Sequence, residues 1–249
     1  MRILFPGTSS AIPSRGNGFS SFLASLGGSL IMIDAGDNPV RAILEAGEDP
    51  LALAAVVLTH RHVDHLGAFP ALVSSLDCMK RSTPLSVIAG PDAAERARRL
   101  LDLFDQGPGK LSFELRFTDG WRGDGARVEL RPGNHPVPTS MVRIKEGAAG
   151  LLYTADCRYR PGLAAANAAG CAAMIHEATY PEAGLPAETG HSSARQAGMA
   201  AREAGVKRLF LCHFEPAAWA GGDPRREAGQ EFAGEVTIPE PGAWYTLEP

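Results

Sequence analysis

The stretch Leu58-Thr59-His60-Arg61-His62-Val63-Asp64-His65 restricts this chain more than any other. It follows the apolar, β-branched run Ala55-Val56-Val57-Leu58 and precedes an amphipathic run from Leu66 to Leu76. That order predicts a buried strand, a short loop and a helix. The histidines fall at the strand's C-terminal end, where loop side chains converge on a pocket. A single loop histidine is ordinarily solvated or hydrogen-bonded. Three histidines and an aspartate packed this closely form a donor set, because neutral imidazoles and carboxylates bind zinc and similar divalent ions. His60 and His62, two apart in extended chain, can point the same way. Asp64 and His65 then turn to the other side and can serve a second ion.

Other polar residues at predicted strand ends can complete such a pair. His135 lies in Pro132-Gly133-Asn134-His135-Pro136, Asp156 follows Leu151–Ala155, and His213 follows Leu209–Cys212. One ion would take His60, His62 and His135. The other would take Asp64, His65 and His213, and the two oxygens of Asp156 would bridge them. This is what two-metal hydrolysis requires. Glu177 and His191 are expected to pair as a proton shuttle or to orient a leaving group, in the same catalytic group as Asp64. Asp34 is expected to hold a ligand imidazole by its free N–H. Arg158, just past Asp156, is expected to meet a phosphate. Cys157 and Cys212 adjoin these residues but read as small buried side chains.

The remaining chain predicts many short elements. The 249 residues suit one domain, 1–249, and 28 glycines with 19 prolines supply frequent turns. Strands are expected at 2–5, 19–26, 29–33, 85–89, 111–117, 126–131, 140–145, 150–155, 172–176, 206–212, 235–238 and 243–247. Helices are expected after Asn38, over 91–105, 161–169 and 224–232, and from His191 to Ala204. Trp121 is expected in a turn. Antiparallel pairs come early and strand–helix alternation later. The implied fold class is α/β: a four-layer αββα sandwich of two mixed β-sheets with helices outside would bury these faces, and a three-layer α/β fold would give a similar pattern.

Composition narrows the setting. The net charge of −4 predicts no general attraction to nucleic acid or anionic lipid, and leaves room for a local basic patch. Four cysteines without a C-x-x-C pair predict the reducing cytoplasm. No apolar run is long enough to span a bilayer, so no membrane partner is expected. Met1–Gly7 is too soon broken for a signal peptide and reads as a first strand.

His60-x-His62-x-Asp64-His65, with His135, Asp156 and His213, resembles the metallo-β-lactamase superfamily over nearly the whole chain. Several segments are similar to its RNase Z (tRNA 3′-processing endonuclease) branch: Gly7-Thr8-Ser9-Ser10-Ala11-Ile12-Pro13, Asn134-His135-Pro136-Val137, His176-Glu177-Ala178-Thr179, His191-Ser192-Ser193-Ala194 and Leu211-Cys212-His213-Phe214. The resemblance implies the αββα metallo-β-lactamase fold and two divalent ions, zinc first, with manganese or iron also fitting. It further implies phosphodiester hydrolysis by a metal-bridging hydroxide, proton delivery by Glu177 and His191, and a homodimer.

There are departures. The inserted arm that grips tRNA in that branch has no room within 136–155 or 157–176, and Glu215 stands where the branch has a small polar residue. The expected substrate is therefore a small or cyclic phosphodiester, or a short RNA. The rival readings are a lactone, ester or thioester hydrolase of the same fold, a genuine tRNA 3′-end endonuclease, and a non-catalytic binding protein.

Overall fold

The computed structural model describes residues 1–123 and 125–248. Its first half builds one sheet and the helices outside it. The strands are β1 (Arg2–Ser9), β2 (Gly18–Phe19), β3 (Ser21–Leu26) and β4 (Ser29–Ile33); then come α1 (Pro39–Glu45), β5 (Leu53–Leu58), α2 (Val63–Leu66), α3 (Phe69–Cys78), β6 (Leu85–Ala89), α4 (Pro91–Leu103) and β7 (Leu115–Thr118). The second half adds β8 (Gly120–Gly123), β9 (Ala126–Pro132), β10 (Ser140–Glu146), β11 (Ala149–Tyr153), α5 (Leu163–Asn167), β12 (Ala173–Glu177), α6 (Ala194–Ala204), β13 (Arg208–Cys212), α7 (Pro224–Ala228) and β14 (Glu235–Thr237). The chain then returns to the first sheet through β15 (Trp244–Thr246).

The sheet orders are β15-β1-β3-β4-β5-β6-β7, with β2 beside β1, and β14-β13-β12-β11-β10-β9-β8. Both are mixed. Alternation along the strands explains their packing. In β4, Ile31 and Ile33 face the opposite sheet, while Leu30 and Met32 face the helices. The inter-sheet core joins Ile3, Phe5, Phe22 and Val57 to Val142, Tyr153, Ile175 and Phe210. Outside the first sheet lie α1, α3 and α4; outside the second, the alanine-rich face of α6 packs with α5 and α7 over Leu152, Met174 and Leu209. Each apolar face is covered, and the result is the αββα sandwich. Among the described residues, no helix is long and apolar enough to cross a membrane.

Local signals act as sequence chemistry predicts at most boundaries. The Asn38 side chain caps α1 with Pro39 at its first position. Ser193 and Gln196 form a capping box at the start of α6, which Gly205 ends in the left-handed conformation. Three expectations need correction. β1 runs through Pro6-Gly7 instead of stopping there, because its register with β3 shifts between Leu4 and Gly7, an irregularity that tolerates proline. The expected helix from Leu66 to Leu76 is broken at Gly67-Ala68 into α2 and α3. Trp121 lies in β8, where cross-strand pairing with Val128 turns its ring to the core.

Candidate metal centre

Strand exits from both sheets meet on one rim. Asp34 follows β4, His60 follows β5, Asp156 follows β11, Glu177 ends β12 and His213 follows β13. The loop after β9 brings His135, and α2 presents Asp64 and His65. Three non-glycine residues at these exits have positive φ: Asp34 (64°), Ala155 (52°) and His213 (61°). Such conformations cost about 1–3 kcal/mol each and persist where packing enforces them. The packing here is close. A Cβ on Gly36 would fall 1.5 Å from the Asp64 carbonyl oxygen, so only glycine lets the Asp34–Asp37 loop press on α2.

The seven candidate ligands converge in two sets that share Asp156. In the outer set, His62 Nδ1 lies 3.0 Å from His60 Nε2 and 3.2 Å from His135 Nε2. Asp156 Oδ2 is 3.6 Å from His60 Nε2 and 4.0 Å from His135 Nε2. In the inner set, Asp156 Oδ1 lies 3.2 Å from both His65 Nε2 and His213 Nε2, and Asp64 Oδ2 lies 3.4 Å from each. All four inner residues are buried, whereas His62 and His135 are partly open.

The outward ring nitrogens decide what the inward ones can do. His65 Nδ1 donates to Asp34 Oδ2 at 2.8 Å, and His135 Nδ1 donates to the Gly190 carbonyl at 3.0 Å. His60 Nδ1 meets Thr59 Oγ1 at 3.1 Å, and His213 Nδ1 meets Thr179 Oγ1 at 2.9 Å. With Nδ1 carrying the proton, Nε2 turns a lone pair inward. His65 Nε2 and Asp156 Oδ1 are buried without a hydrogen-bond partner. Buried donors and acceptors are rarely left so. Convergent ring nitrogens and carboxylate oxygens of this kind fit divalent cations, which would displace any proton held between them.

Asp34 itself is fully occupied. It accepts from the Thr59 N–H and hydroxyl at 2.9 Å, and from the Tyr153 hydroxyl at 3.4 Å. Beside the sets, His191 Nδ1 donates to Glu177 Oε1 at 3.1 Å. Glu177 Oε1 also accepts the Cys157 N–H at 2.7 Å, and Oε2 accepts the Ser192 N–H at 3.1 Å together with the Thr179 hydroxyl.

The electrostatics follow from these contacts. Burial, then His65, lowers His60 to about 2. Burial disfavours the His191 imidazolium, yet Glu177 outweighs it and raises this residue to about 9. Burial likewise disfavours His65 as a cation, but Asp156 and Asp34 raise it well above the usual histidine range.

Arg158 is exposed and leans on the Ala187 carbonyl at 3.4 Å, outside the cluster. Cys157 and Cys212 are buried free thiols. His176 is also buried; its Nδ1 donates to the Glu177 carbonyl at 2.7 Å. Sequence reasoning missed Thr59, Thr179 and the Gly190 carbonyl as imidazole partners. Only their adjacency to His60, Glu177 and His191 could have suggested them.

Fold and cluster together define a metal-dependent hydrolase. Residues 30–214 match the beta-lactamase superfamily domain, and the chain belongs to that superfamily, with a ribonuclease Z-like character. It is 30% identical over 261 residues to a ribonuclease Z of Mycolicibacterium paratuberculosis, covering 93% of each chain. It is 28% identical over 270 residues to one from Methanothermobacter thermautotrophicus, covering 86% of each. The human tRNase Z short form superposes with a TM-score of 0.81 over 100% of both chains at 19% identity, a likeness of fold alone.

Proposed function

We propose that this protein is a phosphodiesterase using two divalent ions, zinc first, on a small or cyclic phosphodiester or a short RNA. His60, His62 and His135 would hold the outer ion, and Asp64, His65 and His213 the inner one, with Asp156 shared. The observation that carries this reading is the paired orphan atoms, His65 Nε2 and Asp156 Oδ1, among the imidazoles of His60, His65, His135 and His213, whose other nitrogens are already engaged. When bound, such ions neutralise phosphoryl charge and lower the pKa of a water to about 7.

The chain's own residues supply the rest. The N–H groups of Cys157 and Ser192 fix Glu177, which holds His191 as an imidazolium at the mouth of the site. His191 can then give a proton to the departing oxygen, as general acid catalysis demands. Arg158, exposed two residues past Asp156, is assigned to a substrate phosphate. The free cysteines fit a reducing cytoplasm. A homodimer fits the superfamily resemblance, and sedimentation would read it.

The test is a substrate panel on protein of measured metal content: bis(p-nitrophenyl) phosphate, 2′,3′-cyclic nucleotides, a precursor tRNA with a 3′ trailer, and lactones. Cleavage of the diesters is expected. Turnover of lactones alone would overturn the reading, and accurate trailer removal would make the chain a tRNA 3′-end endonuclease.

A further inference from the structure

The outer face of the second sheet is divided. Over β11–β13 it is apolar and covered by α5 and α6. Over β8–β10 its outward positions are Gly120, Arg122, Arg127, Glu129, Arg131, Met141, Arg143 and Lys145, and of these Met141, opposite Arg131, is buried with the helix-covered part. The register fixes this. Arg122 pairs with Arg127, Arg127 with Lys145, and Glu129 with Arg143, while the alternate residues Val128, Val142 and Ile144 enter the inter-sheet core. Like charges directly opposite on neighbouring strands destabilise a sheet. Nothing in the fold calls for five cations on this face of a chain whose net charge is −4.

Glu129 is the one carboxylate at those outward positions among the described residues, and three arginines share it. Arg143 Nη2 is 2.6 Å from it, Arg131 Nη2 3.0 Å and Arg127 Nε 3.7 Å. The Nε atoms of Arg127 and Arg131 find no hydrogen-bond partner. Lys145 Nζ donates to the Gly170 carbonyl, which leaves its charge uncompensated.

Direction matters as much as charge. β9 runs toward the metal centre, so Arg131 is its inner end and His135 lies four residues further on. At about 3.4 Å per residue, Arg127 and Arg131 stand about 14 Å apart along the strand. Arg131 also lines an open concavity of about 670 Å³ with Arg98, Ser140 and the carboxylate Asp119. The Ser140 N–H donates to the Thr59 carbonyl, beside His60.

We propose that this basic face binds the phosphate backbone of single-stranded RNA and guides it over Arg131 to the metal centre. The proposal rests on the phosphodiesterase reading and supplies a grip of its own where the inserted arm is missing. Phosphate contacts of this kind position a strand without reading its sequence.

The experiment uses the protein as purified and a fluorescein-labelled oligouridylate of about twelve nucleotides, within the reach of one groove. Anisotropy gives Kd across a salt series, and electrophoresis of the same samples shows whether the oligomer was cut. The triple variant Arg122→Gln/Arg127→Gln/Arg131→Gln should weaken binding at least tenfold. It should also flatten the log–log salt slope by about 2, at about 0.7 per lost phosphate contact. The triple Arg→Lys variant, which keeps charge, should retain the slope and guards against a folding artefact. Equal Kd and slope in all three proteins would overturn the proposal, as would polyglutamate of matched charge competing as well as RNA. Binding that depends on the arginines, with neither the oligomer nor bis(p-nitrophenyl) phosphate cleaved, would uphold the basic face and sink the phosphodiesterase reading instead. Cleavage of bis(p-nitrophenyl) phosphate with arginine-independent RNA binding would do the reverse.

Discussion

The two halves of the metal centre differ in how far water and protons are kept out. The inner set is closed: Asp64, His65, Asp156 and His213 are all buried, and two carboxylates face two imidazoles. The outer set places three imidazoles around one oxygen of Asp156, with His62 and His135 partly open. Their supports differ in one respect. His60 and His213 each lean on a hydroxyl, but His65 of the inner set leans on a buried carboxylate, Asp34, whereas His135 of the outer set leans on a main-chain carbonyl. A carboxylate partner makes an imidazole a stronger donor and fixes its orientation. The inner half would thus hold an ion more firmly, and the outer half would hold one while remaining reachable by substrate.

The largest effect should come from the group common to both halves. Asp156→Ala removes the oxygens that face His60 on one side and His65 and His213 on the other. Metal analysis should find both positions depleted, and hydrolysis of bis(p-nitrophenyl) phosphate should fall to the no-enzyme background. Activity surviving with full metal content would dissolve the distinction between halves altogether.

Asp34 separates them. Asp34→Asn keeps a residue type that tolerates the positive φ at this position but withdraws the charge behind His65. Affinity at the inner position should drop about 10–100-fold in chelator competition, with the outer position nearly unchanged. Asp34→Ala should add about 1–2 kcal/mol of backbone penalty on top. Equal losses at both positions from Asp34→Asn would mean that the halves are one coupled unit.

Proton release sharpens the contrast further. Without metal, Asp156 and Asp34 overcome burial and keep a proton on His65, whereas burial and His65 keep His60 neutral down to about pH 2. Filling the inner position must expel the His65 proton, because a ligand imidazole is neutral on its inward nitrogen. Loading metal near pH 7 should therefore release about one proton from the inner set and none from His60. The sign follows: the raised His65 value makes inner-site affinity climb with pH throughout the neutral range. Calorimetry in buffers of different ionisation enthalpy counts the protons. A stoichiometry that did not change with the first equivalent of metal would contradict the assignment.

How much of this was legible beforehand depends on range along the chain. The His60–His65 cluster, the apolar run before it and the caps at Asn38 and Ser193 are local patterns, and local patterns survive in one dimension. Alternation and the need to cover each apolar face suggested an αββα layering but fitted a three-layer fold too; only the resemblance carried by the His60–His65 motif and its companions singled it out. The Gly190 carbonyl behind His135 is 55 residues away, and Asp34 meets Tyr153 across 119. No local rule reaches so far. Arg122, Arg127 and Lys145 likewise read as scattered surface charges until the register of β8, β9 and β10 lines them up.

The smallest effect concerns the cysteines that adjoin the centre. Cys157 follows the shared carboxylate and Cys212 precedes His213, so the sequence alone leaves room for sulfur among the metal contacts. The structure turns both away. Burial, then Glu177, pushes the Cys157 thiol up to about 12, and burial, then Asp156, raises Cys212 as well. Thiolate, not thiol, is the form that reacts and binds metal. At pH 8 a disulfide reagent should therefore titrate exposed Cys78 at once and reach Cys157, Cys171 and Cys212 only on unfolding, with or without metal. Fast labelling of Cys157 that metal suppresses would bring its sulfur into the outer set. The division between a closed inner half and an all-imidazole outer half would then have to be redrawn.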